Sequence, residues 1–155
     1  MSKVFEDYFS ELQADMVAIC MEYVNNNAEK IYIYCSFEEQ MISCDVFYCI
    51  NNKVVRKHKL NEAIASKTQN FQYDTSRERQ KSVLRIINED IEKLYEICTK
   101  YRREMPTEIK LIYNVLDKSL EAEYKYDLVY SNDPSKTADD IATEWFEHIK
   151  SDNNK

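Results

Sequence analysis

Residues 30–60 read KIYIYCSFEEQMISCDVFYCINNKVVRKHKL. In 30–38, Ile31, Ile33, Cys35 and Phe37 alternate with Tyr32 and Tyr34. In 41–50, Ile42, Cys44, Val46, Tyr48 and Ile50 alternate with Ser43, Asp45, Phe47 and Cys49. Side chains of a strand alternate between its two faces, so each run predicts a strand with two distinct sides. The EEQ between them predicts a hairpin turn. Asn51-Asn52 predicts a second, because Asn tolerates positive φ. Residues 53–60, KVVRKHKL, then form a short basic third strand, an edge strand guarded by its lysines.

Working outward, residues 3–25 predict a helix. Val4, Phe5, Tyr8, Phe9, Leu12, Met16, Ile19, Cys20 and Tyr23 recur at three- and four-residue steps, and the NNN at 25–27 ends it. Residues 61–75, NEAIASKTQNFQYDT, carry no clear period and predict a loop with one helical turn. A long helix follows at 76–104, striped by Val83, Ile86, Ile87, Ile91, Leu94, Tyr95, Cys98 and Tyr101. Asp74 or Thr75 is its expected N-cap, and Pro106 marks its exit. Residues 107–116 and 121–130 predict two more strands joined by a turn at 117–119. A last helix spans 137–150, where Thr137 and Asp140 have the spacing of a capping box. The order is α-β-β-β-α-β-β-α. Its hairpins predict a single antiparallel sheet of about five strands, an α+β fold with helices packed mainly on one face.

The chain has 155 residues, enough for one domain, 1–155, with its own core. It carries 21 basic and 28 acidic side chains, a net charge of −7. Residues 1–52 hold 2 basic against 9 acidic side chains, 53–110 hold 14 against 9, and 111–155 hold 5 against 10. An acidic chain disfavours binding to phosphate backbones and suits a basic protein partner. There is no glycine, where average usage would give roughly eleven. That excludes glycine-rich phosphate loops and dinucleotide fingerprints. The five cysteines, with no CxxC and no apolar leader, predict reduced thiols and a cytoplasmic protein. No run approaches the roughly 20 apolar residues that span a bilayer.

Chemistry-bearing patterns are sparse. Two histidines, His58 and His148, and cysteines five apart on one strand match no zinc spacing. Cys49 and His58 face each other across a predicted hairpin, but His58 belongs to the basic run RKHK and reads as solvated. The carboxylate pairs Glu38/Glu39, Glu121/Glu123 and Asp139/Asp140 read as surface groups, the last favouring a helix N-terminus. The basic run KVVRKHK and Arg77, Arg79 and Arg85 have no aromatics interleaved with their charges to stack on bases. These observations predict a non-enzymatic protein without cofactor or metal.

Recognition by a face is the reading left. In 121–130, EAEYKYDLVY, acidic residues alternate with Tyr124 and Tyr126. If Ile31, Ile33, Cys35, Tyr124 and Tyr126 point inward, then Tyr32, Tyr34, Asp45, Phe47, Glu121, Glu123 and Asp127 form an outward, partner-binding set. Aromatics would supply contact area and carboxylates partner choice. The same alternation is equally compatible with the last helix covering this face.

EKIYIYCSFEEQMISCDVFYCINNK resembles the first hairpin of YezG-like immunity proteins. LYEICTKYRREM, IKLIYNVLDKSLEAEYKYD and YSNDPSKTADDIATEWFEHI resemble that family in order and spacing. The resemblance implies a cytoplasmic, non-enzymatic bacterial protein that binds and blocks a cognate secreted toxin, often a nuclease. The alternative is a regulatory or adaptor domain that binds another protein, or nucleic acid through its basic middle. Three departures stand out: this chain has no glycine in its hairpin turns, it has Met105-Pro106-Thr107 where the family has a Trp entering the fourth strand, and its stretch from Ser66 to Gln80 is longer than the family's.

Overall fold

The computed structural model describes residues 4–64 and 72–153. Five strands form one antiparallel sheet: β1 Lys30–Glu38, β2 Met41–Ile50, β3 Lys53–Arg56, β4 Glu108–Asn114 and β5 Ser119–Lys125. Their order across the sheet is β3-β2-β1-β4-β5. The helices are α1 Phe5–Tyr23, α2 Arg77–Lys100 and α3 Ala138–Asn153, so the predicted element order holds. A 3-10 turn, Lys57–Ala63, follows β3. The 65–71 part of the predicted loop lies outside the described residues.

Without glycine, the tight turns place other residues in the left-handed region. Glu39 (φ 53°) and Gln40 (φ 62°) close the β1–β2 hairpin, and Asn51 (φ 52°) and Asn52 (φ 63°) close the next. Two positive-φ residues are what a two-residue hairpin of matching twist demands. Glu29 supports the second turn by accepting the N–H groups of both Asn51 and Asn52.

β1 is the centre of the molecule, and Ile31 through Ser36 are all buried. Ile31, Ile33 and Cys35 point with Val46, Tyr48, Ile50, Ile109 and Leu111 into the larger core beneath α1 and α2. Buried tyrosines there find acceptors: Tyr48 donates to the Cys20 carbonyl at 2.9 Å and Tyr23 to that of Lys57 at 2.8 Å. The opposite side of β1, Tyr32 and Tyr34, joins Phe47, Cys49 and Val54 in a second core under α3. Trp145 meets Phe47 edge-on at 5.1 Å and Tyr32 at 5.9 Å, and Phe146 meets Phe47 at 5.1 Å. Each such buried ring stabilises the fold by about 2–3 kcal/mol.

Several boundaries differ from the sequence reading, and three of them have a cause in the structure. β3 stops at Arg56, because the chain turns to bury Leu60 and Ala63. The N-cap of α2 is Ser76, whose Oγ accepts the Arg79 N–H at 3.4 Å, while Asp74 accepts the Ser76 N–H one step earlier. β5 ends at Lys125 and does not reach residue 130. Beyond it, the N–H groups of Val129, Tyr130 and Ser131 go to the Glu38 carboxylate at 2.9, 3.5 and 3.0 Å, so they are not available to a strand ladder.

Candidate interaction surface

The placement of α3 divides the predicted outward set. Tyr32, Tyr34 and Phe47 are buried beneath Trp145 and Phe146, which corrects the expectation that they form an open face. The physical reason is that an alternating strand needs cover wherever its second face is also aromatic, and α3 supplies that cover for β3, β2 and β1. Asp45 is partly buried and committed: its Oδ1 takes the Lys57 ammonium at 2.7 Å and its neighbour's N–H, that of Val46, at 2.8 Å. It sits on β2, three strands from β5, or about 14 Å at the usual strand spacing. Glu121 and Glu123 are exposed on β5, opposite Ile112 and Lys110 of β4. Asp127 is exposed just past the strand end, where its carbonyl accepts from Thr107 Oγ1 at 2.6 Å. The structure therefore keeps Glu121, Glu123 and Asp127 together at one margin and separates them from the other four.

The boundary between the covered and open halves is a charged cluster. Glu108 is buried, with Oε1 3.7 Å from both Lys110 and Lys125 and Oε2 accepting the Tyr34 hydroxyl at 3.4 Å. Lys110 also stands over the Trp145 ring at 5.4 Å. Burial, then the Glu108 charge, pushes the Tyr34 hydroxyl far above its ordinary range, so it stays a hydrogen-bond donor. On the outer side of this cluster, Glu121 and Glu123 make no ion pair among the described residues.

The other face of β5 is apolar and half-exposed. Leu120, Ala122 and Tyr124 point toward α1, in register with Tyr113, Leu111 and Ile109 of β4. Tyr124 packs edge-on against Phe9 at 5.4 Å, and its hydroxyl meets Gln13. Yet the large apolar side chains here keep 37% (Tyr124) to 48% (Leu128) of their surface exposed. Between α1 and the β4–β5 hairpin runs a groove of about 430 Å³, walled by Ser10, Ala14, Val17 and Ala18 on one side and by Tyr113 and Leu120 on the other. Sequence reading placed Tyr124 inward, where it does point, but missed this groove. Its trace is the four-residue spacing of Ser10, Ala14 and Ala18, small residues left exposed beside the apolar stripe of α1.

The remaining sequence candidates are occupied elsewhere. Cys49 lies 3.8 Å from Glu29, and burial, then that carboxylate, pushes its thiol up to about 11. The His58 imidazole is held below its usual range by partial burial, then by Lys57, Lys59 and Arg56. Arg79 reaches the carbonyls of Glu22 and Tyr23 at 3.2 Å, Arg56 stacks on Phe146 at 4.3 Å, and Arg103 pairs with Glu6 at 3.3 Å. Among the described residues, no group of three or more His, Cys, Asp and Glu side chains is arranged to hold a metal ion, and no helix is long and apolar enough to cross a membrane. Compared with known protein families and with characterised proteins, the chain matches no family model and no individual sequence.

Proposed function

We propose that this protein is an immunity protein, a cytoplasmic antitoxin that binds a basic domain of a cognate secreted toxin and blocks it stoichiometrically. The observation that carries the reading of the partner is the β5 margin, where Glu121, Glu123 and Asp127 lie beside half-exposed Leu120, Tyr124, Tyr126 and Leu128. Exposed carboxylates that make no ion pair among the described residues raise the encounter rate with a basic partner, and central aromatics hold it once docked. The antitoxin reading itself comes from the sequence resemblance to YezG-like proteins; the β5 margin says only what kind of partner such a protein would take. The alternative, nucleic-acid binding through the basic middle, is disfavoured because Arg56, Lys57, Arg79 and Arg103 are engaged within the molecule.

The test is co-expression with a toxin domain encoded beside the gene. The expected result is survival of the host and recovery of a complex of fixed stoichiometry. A toxin that kills equally well in the presence of excess antitoxin rejects the reading.

A further inference from the structure

We propose that the free edge of β5 is a strand-addition site, which takes an extended segment of the partner protein whose residues alternate between apolar and basic. This deepens the reading above and rests on its premise that the protein works by binding a basic partner.

The two edges of the sheet are finished differently. β3 has only four residues, is followed at once by the 3-10 turn, and is flanked by α3, whose Asn153 donates to the Asn52 carbonyl at 2.8 Å. β5 has seven exposed residues, no proline and a regular register against β4. An edge strand of that length leaves alternate backbone N–H and C=O groups facing outward without partners. Its far end is anchored on the β4 side, where the Lys125 carbonyl accepts from both the N–H and the hydroxyl of Thr107 at 2.7 and 3.1 Å. The template is the exposed strand itself, Ser119–Lys125.

The flanks of that template fix what can dock. A strand laid against β5 sends successive side chains to opposite faces. On one face they enter the α1 groove beside Ala14, Ala18 and Leu120, which suits small or branched apolar groups. On the other they stand beside Glu121 and Glu123, which suits Lys or Arg. A second copy of this chain suits the edge less well than a basic strand. Antiparallel self-pairing centred on Ala122 sets Glu121 opposite Glu123, and centring on Glu123 sets that residue opposite itself while Glu121 meets Lys125. Like charges directly opposite each other destabilise a pair. A strand that offers Lys or Arg to both Glu121 and Glu123 avoids these Glu–Glu pairs, so the two carboxylates favour a basic strand.

The experiment uses the purified full chain and three ten-residue peptides: alternating Val and Lys, the same residues in two blocks, and alternating Val and Glu. The alternating Val-Lys peptide is expected to bind and to slow amide hydrogen exchange at Ser119–Lys125. The E121K/E123K variant should weaken that binding about tenfold or more, and Ala14→Glu in the groove wall should do the same while the melting temperature stays unchanged. Equal binding of the block peptide, or no added protection of β5 amides, overturns the proposal. Exchange mapping on the toxin complex separates the two claims. Neutralisation with protection confined to another surface overturns strand addition and leaves the antitoxin reading intact. Protection of β5 by the Val-Lys peptide alongside a toxin that still kills supports strand addition and rejects the antitoxin reading.

Discussion

At the scale of single residues, two carboxyls show how environment separates groups that look alike in sequence. Glu38 is 2% exposed, and accepts three backbone N–H groups from 129–131. Burial alone would raise its pKa, but the hydrogen bonds from Ser131, Val129 and Tyr130 outweigh it and hold the carboxyl below the usual range. A depressed carboxylate contributes stability above its unfolded pKa, and that contribution is lost as pH falls through the folded value. Glu38→Gln should therefore lower stability by about 1–3 kcal/mol at pH 7, with a smaller difference near pH 3, as read by urea denaturation at both pH values. Asp90, on α2, is also buried, but its Oδ2 has no hydrogen-bond partner among the described residues. Burial, then proton sharing with Asp15 of α1 and the charge of that group, raises its pKa to about 7. The sign is reversed here: the site favours the protonated form, so its cost grows as pH rises from the ordinary carboxylate range toward the folded value. Asp90→Asn should raise stability by about 1 kcal/mol or more at pH 8 and by less at pH 5, checked by thermal melts at the two pH values. Neither role was legible in the sequence. Glu38 read as one of a surface pair with Glu39, and what decides its fate is a segment 91 residues away.

At the scale of elements, local chemistry was readable wherever it was decided by neighbours in the chain. The capping box of α3 is present as predicted: Asp140 N–H donates to Thr137 Oγ1 at 3.2 Å, and Thr137 N–H donates to Asp140 Oδ2 at 2.9 Å. Thr137→Ala should cost about 1 kcal/mol. Because α3 carries Trp145, the loss should appear as an earlier red shift of Trp fluorescence on urea titration. The Asn51-Asn52 turn was equally legible, since both residues tolerate the left-handed region. The turn at Glu39-Gln40 is less at ease there. Gln40→Gly, at φ 62°, should raise stability by about 0.5–1 kcal/mol and the melting temperature with it. The ends of β3 and β5 were not legible. Alternation continues past Arg56 and past Lys125 in the sequence, but long-range burial of Leu60 and the long-range hydrogen bonds to Glu38 end the strands first.

At the scale of the whole molecule, the hairpins and helix periods determined the element order and the five-stranded antiparallel sheet. They could not determine which face α3 takes. Alternation shows that a strand has two different sides, and it says nothing about which distant helix covers each. That choice moved Tyr32, Tyr34 and Phe47 from a binding surface into a second core. Removing the centre of that core tests its weight. Trp145→Ala should cost about 3–5 kcal/mol and release α3, measured by chemical denaturation and by hydrogen exchange of 138–153.

The seven residues of β5 are all exposed, whereas β1 buries nearly all of its own. The fold leans on this strand at two positions, Tyr124 against Phe9 and Gln13, and Lys125 against the buried Glu108. The other five side chains of β5 can be rewritten with little disturbance to the interior. Replacing Ser119–Glu123 with a different strand-forming, proline-free sequence should leave the unfolding midpoint within a few degrees of the parent, and under the strand-addition proposal should change which peptide the edge takes.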